Sequence, residues 1–236
     1  MKEDALLIQE SLSQQPEISN WIFCIFLIML VLFGSIGRKI GLFQSIAGEI
    51  FAVKERKNTF YGSTMDEWYG KLLLCLQTCI LLSIFLYKVS TNNSNIILNT
   101  PIGALIFIGI TTLILCIFLF AKWAAYYLVG IVFYNKSAVK IWITNFFSII
   151  AFSGVILFIP VLLYFYVDFV DEFCFAFVAI YLLLLIVFIT YKSFVLFFHK
   201  PSDLLNLFLY LCAQEIIPLF LLWKTLVIIM FNFAGK

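Results

Sequence analysis

EFCFAFVAIYLLLLIVFITY, residues 172–191, carries no charge after its first residue and is apolar on every side of a helix. Its 20 residues, at about 1.5 Å each, reach about 30 Å, the thickness of a bilayer's hydrocarbon core. A membrane strand would alternate apolar and polar residues, and this run does not. With no water to satisfy backbone groups, a helix is the structure that closes its own hydrogen bonds. The segment predicts a membrane-spanning helix.

Working outward, five more runs bounded by charge or turn residues fit the same template, at about 20–37, 71–89, 101–122, 141–167 and 204–231. The fold class expected is all-α, a polytopic transmembrane helix bundle of about six spans in one domain over 20–236, after a polar acidic tail at 1–19. The third run either continues past Lys122 through WAAYYLVGIVFY to Tyr134 or breaks at the interface, and the residues leave both open. Composition agrees, because 64% apolar against 12% charged residues leaves too little polar surface for a water-soluble body of 236 residues. A formal net charge of +2 gives no electrostatic footprint for nucleic acid. The first twenty residues lack a basic region leading into an apolar core with a cleavage site, so no cleaved signal peptide is expected.

Lysine and arginine distribution orients the bundle, since basic loops are retained on the cytoplasmic side. Arg38, Lys39, Lys54, Arg56, Lys57 and Lys71 follow the first span; Lys122, Lys136 and Lys140 follow the third; Lys192 and Lys200 follow the fifth. These are 11 of the 15 basic residues. The turn after the fourth span is acidic, with Asp168, Asp171 and Glu172, so both termini are expected outside the cytoplasm. Trp21, Tyr87, Trp123, Trp142, Tyr166 and Tyr191 fall near span ends, where amphipathic rings favour the headgroup layer. Between the first two spans, about 40–57, Phe43, Ile46, Ala47, Ile50 and Phe51 share one face of a helix, opposite Ser45, Gly48, Glu49 and Arg56. That predicts an amphipathic helix on the cytoplasmic interface, serving as a connector or as a docking element for a partner protein.

The six cysteines, Cys24, Cys75, Cys79, Cys116, Cys174 and Cys212, lie inside apolar stretches and read as small hydrophobes. Cys75 and Cys79 share a helix face, but the only histidine, His199, is far away, so no metal and no cofactor are expected. Ala151–Gly154, AFSG, is a poor copy of a serine-protease turn, and no HExxH, Walker or dinucleotide motif occurs. No catalytic residue is assigned, and the chain reads as a non-enzyme.

The last run, DLLNLFLYLCAQEIIPLFLLWKTLVIIMF, holds the polar residues of most interest. On a helix Asn206, Tyr210, Gln214, Glu215, Pro218, Lys224 and Thr225 occupy one half, which must face protein or water. Glu215 and Lys224 are about 13.5 Å apart along the axis, too far to pair directly. Glu215 therefore needs a partner elsewhere: Asn145 and Ser148 in the fourth span, or Gln77 and Thr78 in the second. Pro218 has no amide hydrogen, which frees the carbonyl of Gln214 beside the carboxylate. The cluster Glu215, Gln214, Pro218, Tyr210, Asn206, Lys224, Asn145 and Ser148 is either structural glue between helices or a binding or proton-relaying site.

FLYLCAQEIIPLFLLWKTLV, Phe208 to Val227, resembles the closing signature of an uncharacterised family of Bacteroidota membrane proteins, domain of unknown function 4271. The basic amphipathic segment before the second span and FYNKSAVKIWITNFFSIIAFSGVILFIP, with Asn135, Asn145 and Pro160, are similar to the corresponding regions of that family. The likeness covers roughly residues 20–232. It implies a multi-pass inner-membrane protein of an envelope-bearing bacterium and implies no activity. Two roles are expected from the residues. One is a scaffold or accessory subunit of a cell-envelope assembly, with the lipid bilayer and other inner-membrane or envelope proteins as partners. The other is a small transporter or lipid-handling protein that uses the Glu215 cluster.

Overall fold

In the computed structural model, residues 20–31, 34, 65–92, 101–133, 136–197 and 216–233 are described. All the elements among them are helical: α1 (Asn20–Val31), α2 (Met65–Asn92), α3 (Pro101–Phe133), α4 (Lys136–Tyr166), a short 3-10 turn (Asp168–Val170), α5 (Asp171–Phe197) and α6 (Ile217–Phe233). Four of them, α2 to α5, are long and apolar enough to cross a membrane. The amphipathic segment at 40–57, His199 and the amino-terminal tail lie outside the described residues.

One boundary that the residues left open is closed, and one differs from expectation. The third run does not stop at Lys122; α3 is one helix of 33 residues ending at Phe133. No proline interrupts AKWAAYYLVGIVF, and its weakest helix former, Gly130, costs only about 1 kcal/mol and keeps its amide hydrogen, so nothing in the segment breaks the hydrogen-bond ladder. Lys71 likewise belongs to α2, which starts at Met65, and is not a loop residue. α4 continues through Pro160, which leaves the Ile156 carbonyl without its usual donor four residues on.

α2 and α4 form the centre. Two hydrogen bonds between them join residues 72 apart in sequence: Cys75 Sγ donates to the Phe147 carbonyl at 3.5 Å, and Thr78 Oγ1 donates toward the Ile150 carbonyl at 3.0 Å. A constant offset at successive turns means that the two helices run parallel and in register. α3, between them in sequence, returns antiparallel and packs on both, while α5 packs on α4 and α6 on α3. The charges name the two ends: Lys71, Lys122 and Lys140 at the basic end, Asp171 and Glu172 at the acidic end.

Two aromatic-rich cores lie one above the other. At the acidic end Phe26, Leu81, Ile84, Phe85, Tyr87, Phe107, Leu157, Val161 and Tyr164 interlock, and α1 is docked there by edge-on contacts of Phe26 with Phe158 and of Phe23 with Tyr166. At the basic end Leu74, Tyr126, Trp142, Phe146 and Ile189 form the second core, with Tyr126 edge-on to both Trp142 and Phe146. Association inside lipid gains little from the hydrophobic effect, so this ring packing is held by dispersion and shape. The outward faces of α3 and α5 are apolar and exposed, including Leu113, Phe120, Ile180, Leu183 and Val187.

Candidate functional site

Between the two cores lies a layer of small polar side chains. Thr78 shares its hydroxyl proton between its own helix, the Leu74 carbonyl at 2.9 Å, and the Ile150 carbonyl of α4 at 3.0 Å. Ser153 Oγ donates to that same Ile150 carbonyl at 2.7 Å. On the α2–α3 side, Thr112 Oγ1 donates to Ser83 Oγ at 2.9 Å, and Ser83 in turn donates to the Cys79 carbonyl at 2.8 Å. These hydroxyls satisfy themselves on backbone carbonyls and on each other, as polar groups in a water-free interior must. Small residues make the approach possible: a Cβ on Gly154 would overlap the Thr78 hydroxyl and sit 3.4 Å from the Leu74 carbonyl oxygen.

The residues singled out in the sequence divide into three groups. Asn145 and Ser148 are buried on α4, and Gln77 and Thr78 are buried on α2; of these four, Thr78 makes a bond across the α2–α4 contact. Pro218 is partly buried near the start of α6, while Lys224 and Thr225 are exposed and the Thr225 hydroxyl turns back to the Leu221 carbonyl at 2.8 Å. Asn206, Tyr210, Gln214 and Glu215 lie outside the described residues. α6 packs chiefly on α3, whereas Asn145 and Ser148 are on α4. Ser153 of the AFSG stretch is helical and buried, with its hydroxyl directed at a carbonyl.

Sequence reading missed a second polar level. Lys71 and Lys122, counted there as loop charges, are only 3% and 6% exposed. Lys122 Nζ lies 6.0 Å from the centre of the Phe118 ring and 5.9 Å from that of Tyr126. Those rings stand four residues before and after it, so the pattern Phe118-Lys122-Tyr126 marks a helical aromatic clamp and could have flagged the lysine. The Cys79 and Cys116 side chains are neighbours across α2 and α3, with Cys75 nearby. Among the described residues no three of His, Cys, Asp and Glu converge as metal ligands. Thr111 and Ser193 have buried hydroxyls with no hydrogen-bond partner.

Comparison with known proteins gives one relation. The family described as a domain of unknown function (DUF4271) matches residues 18–226. No curated protein and no solved structure matches the chain.

Proposed function

We propose, for a chain that belongs to the DUF4271 family, a non-enzymatic role as a scaffold or accessory subunit of a cell-envelope assembly. In this reading it is a multi-pass protein of a bacterial inner membrane, of Bacteroidota type. It crosses six times, α1 and α6 adding to the four long helices, with both termini on the periplasmic side. Ile229 of α6 packs against the acidic-end core that also holds Ile22 and Phe26 of α1, which supports placing the far end of α6 on the side where α1 begins. The excess of lysine and arginine at the opposite end supports the sidedness.

The observation that carries the role is the use made of the intramembrane hydroxyls. Thr78 and Thr112 bond across helix contacts, to the Ile150 carbonyl and to Ser83, while Ser83 and Ser153 donate to carbonyls of their own helices. That is the chemistry of a rigid bundle. The wide exposed apolar flanks of α3 and α5 supply area for lipid or for neighbouring membrane helices.

A second reading, a small transporter or lipid-handling protein working through the Glu215 cluster, is favoured by the burial of two amides, Gln77 on α2 and Asn145 on α4. Affinity isolation in mild detergent separates the two. A scaffold brings a fixed partner at constant ratio, whereas a carrier purifies alone and moves solute or lipid in liposomes. Glu215→Gln refines the result, because normal accumulation with the cellular role intact removes the proton-relay version of the second reading.

A further inference from the structure

We propose that Cys79 and Cys116 are an oxidisable thiol pair at the middle of the bilayer, which a quinone dissolved in the membrane joins in a disulfide that ties α2 to α3. The proposal goes beyond the assembly role above and does not depend on it.

Register brings the two thiols together. Thr112 Oγ1 donates to Ser83 Oγ at 2.9 Å, which fixes the α2–α3 contact at that level. Cys79 lies four residues before Ser83, and Cys116 lies four residues after Thr112. Because α2 and α3 run antiparallel, these are the same step along the contact, about one helical turn, and residues four apart share a helix face. Cys79 and Cys116 are accordingly neighbours across the helix pair. One turn away, Ser83 and Thr112 bridge the helices with a single oxygen beyond each Cβ. A disulfide bridges with a single sulfur beyond each Cβ, at a Cβ separation of about 3.8 Å. Cys75, the third thiol nearby, is turned instead to α4, where its Sγ donates to the Phe147 carbonyl at 3.5 Å.

Depth and exposure select the oxidant. Cys79 is the twelfth of the 24 residues of its apolar span and Cys116 the sixteenth of the 28 of its own, so both lie close to the mid-plane of the hydrocarbon. Cys79 is 2% exposed, whereas Cys116 is half-buried, beside the exposed Leu113, Ile117 and Phe120 of α3. One thiol is thus open to lipid and the other is covered. Glutathione is charged and does not enter this layer, whereas a quinone dissolves in it. In the reaction two S–H bonds break and one S–S bond forms; the two electrons and two protons pass to the quinone, which departs as the quinol. Buried cysteines are otherwise inert small hydrophobes, and the facing partner together with the open edge sets these two apart. The product closes the chain between residues 79 and 116 and holds α2 on α3.

The test uses the full chain, reduced, in phosphatidylcholine liposomes loaded with duroquinone, whose fully substituted ring disfavours direct addition of thiols. Free thiols are counted by maleimide mass tagging after unfolding, quinol formation is followed by absorbance, and linked peptides are mapped by mass spectrometry. The expected result is the loss of two thiols and the appearance of one quinol per chain, with the new bond mapped to Cys79 and Cys116. Cys79→Ser and Cys116→Ser should each abolish the quinol signal and the linked peptide, while Cys75→Ser and Cys24→Ser leave both intact. Retention of every thiol in the presence of the quinone overturns the proposal, and so does a bond mapped only to other cysteines. Should either serine variant not fold, the peptide map and thiol count of the unsubstituted protein still decide.

Discussion

Gly154 of α4 stands against the Thr78 hydroxyl of α2 so closely that no side chain fits between them. The absence of a Cβ lets Thr78 reach the Ile150 carbonyl of the neighbouring helix while still bonded to its own. Gly154→Ala is expected to push the helices apart or turn Thr78 out of its rotamer. The cost expected is about 1–3 kcal/mol, the range for overpacked interiors. Unfolding of the purified protein in mixed micelles measures it. Adding Thr78→Ala should recover part of the loss, since the atom in the way is then gone, and full additivity of the two changes would refute a direct contact.

The Thr112–Ser83 bond predicts a smaller, measurable coupling. Thr112→Val and Ser83→Ala, singly and together, should give an interaction energy of about 0.6 kcal/mol, the average for hydroxyl and amide pairs between membrane helices. A coupling of zero would mean that the bond adds nothing beyond the packing of α2 on α3.

Lateral position in the bundle makes a third prediction. Leu81 is fully buried in the acidic-end core and Leu183 projects from the outer face of α5. Leu81→Ala should cost about 2–5 kcal/mol, as cavity-forming changes do, against about 0.5 kcal/mol or less for Leu183→Ala. Equal losses would place α5 inside a larger assembly that survives purification.

Sidedness is testable at the two charged ends. Lys140 and Glu172 are both exposed and belong to opposite ends of the bundle. With native Cys24 replaced, Glu172→Cys should react with an impermeant maleimide in cells whose outer membrane has been opened. Lys140→Cys should react only after the inner membrane is breached. The reverse pattern turns the proposed orientation over.

How much of this was legible in the residues depended on whether the cause was local. The apolar runs that become α2 to α5 are local, because length and lack of charge suffice to recognise a helix that lipid can surround. The end of α3 was not legible, because a lysine in an apolar run marks either a loop or a cation folded under aromatic rings. Lys122 is the second kind, held over Phe118 and Tyr126. Asn145, Ser148, Gln77 and Thr78 were read as partners for Glu215; all four are buried, and their pairing with Glu215 falls outside the described residues. That Thr78 meets Ile150 could not be read, since a contact between residues 72 apart leaves no periodic trace in either helix. The neighbourhood of Glu215 lies outside the described residues.

The parallel pairing of α2 with α4 has a consequence for biogenesis. The surface that α2 presents to α4 stays without its mate until the ribosome has made α3 and most of α4, because the hydroxyl of Thr78 closes on a carbonyl 72 positions downstream. A chain halted after α3 would carry that surface open in the bilayer, so newly inserted intermediates need shielding by the insertion machinery, and prematurely terminated products become ready substrates for membrane proteases.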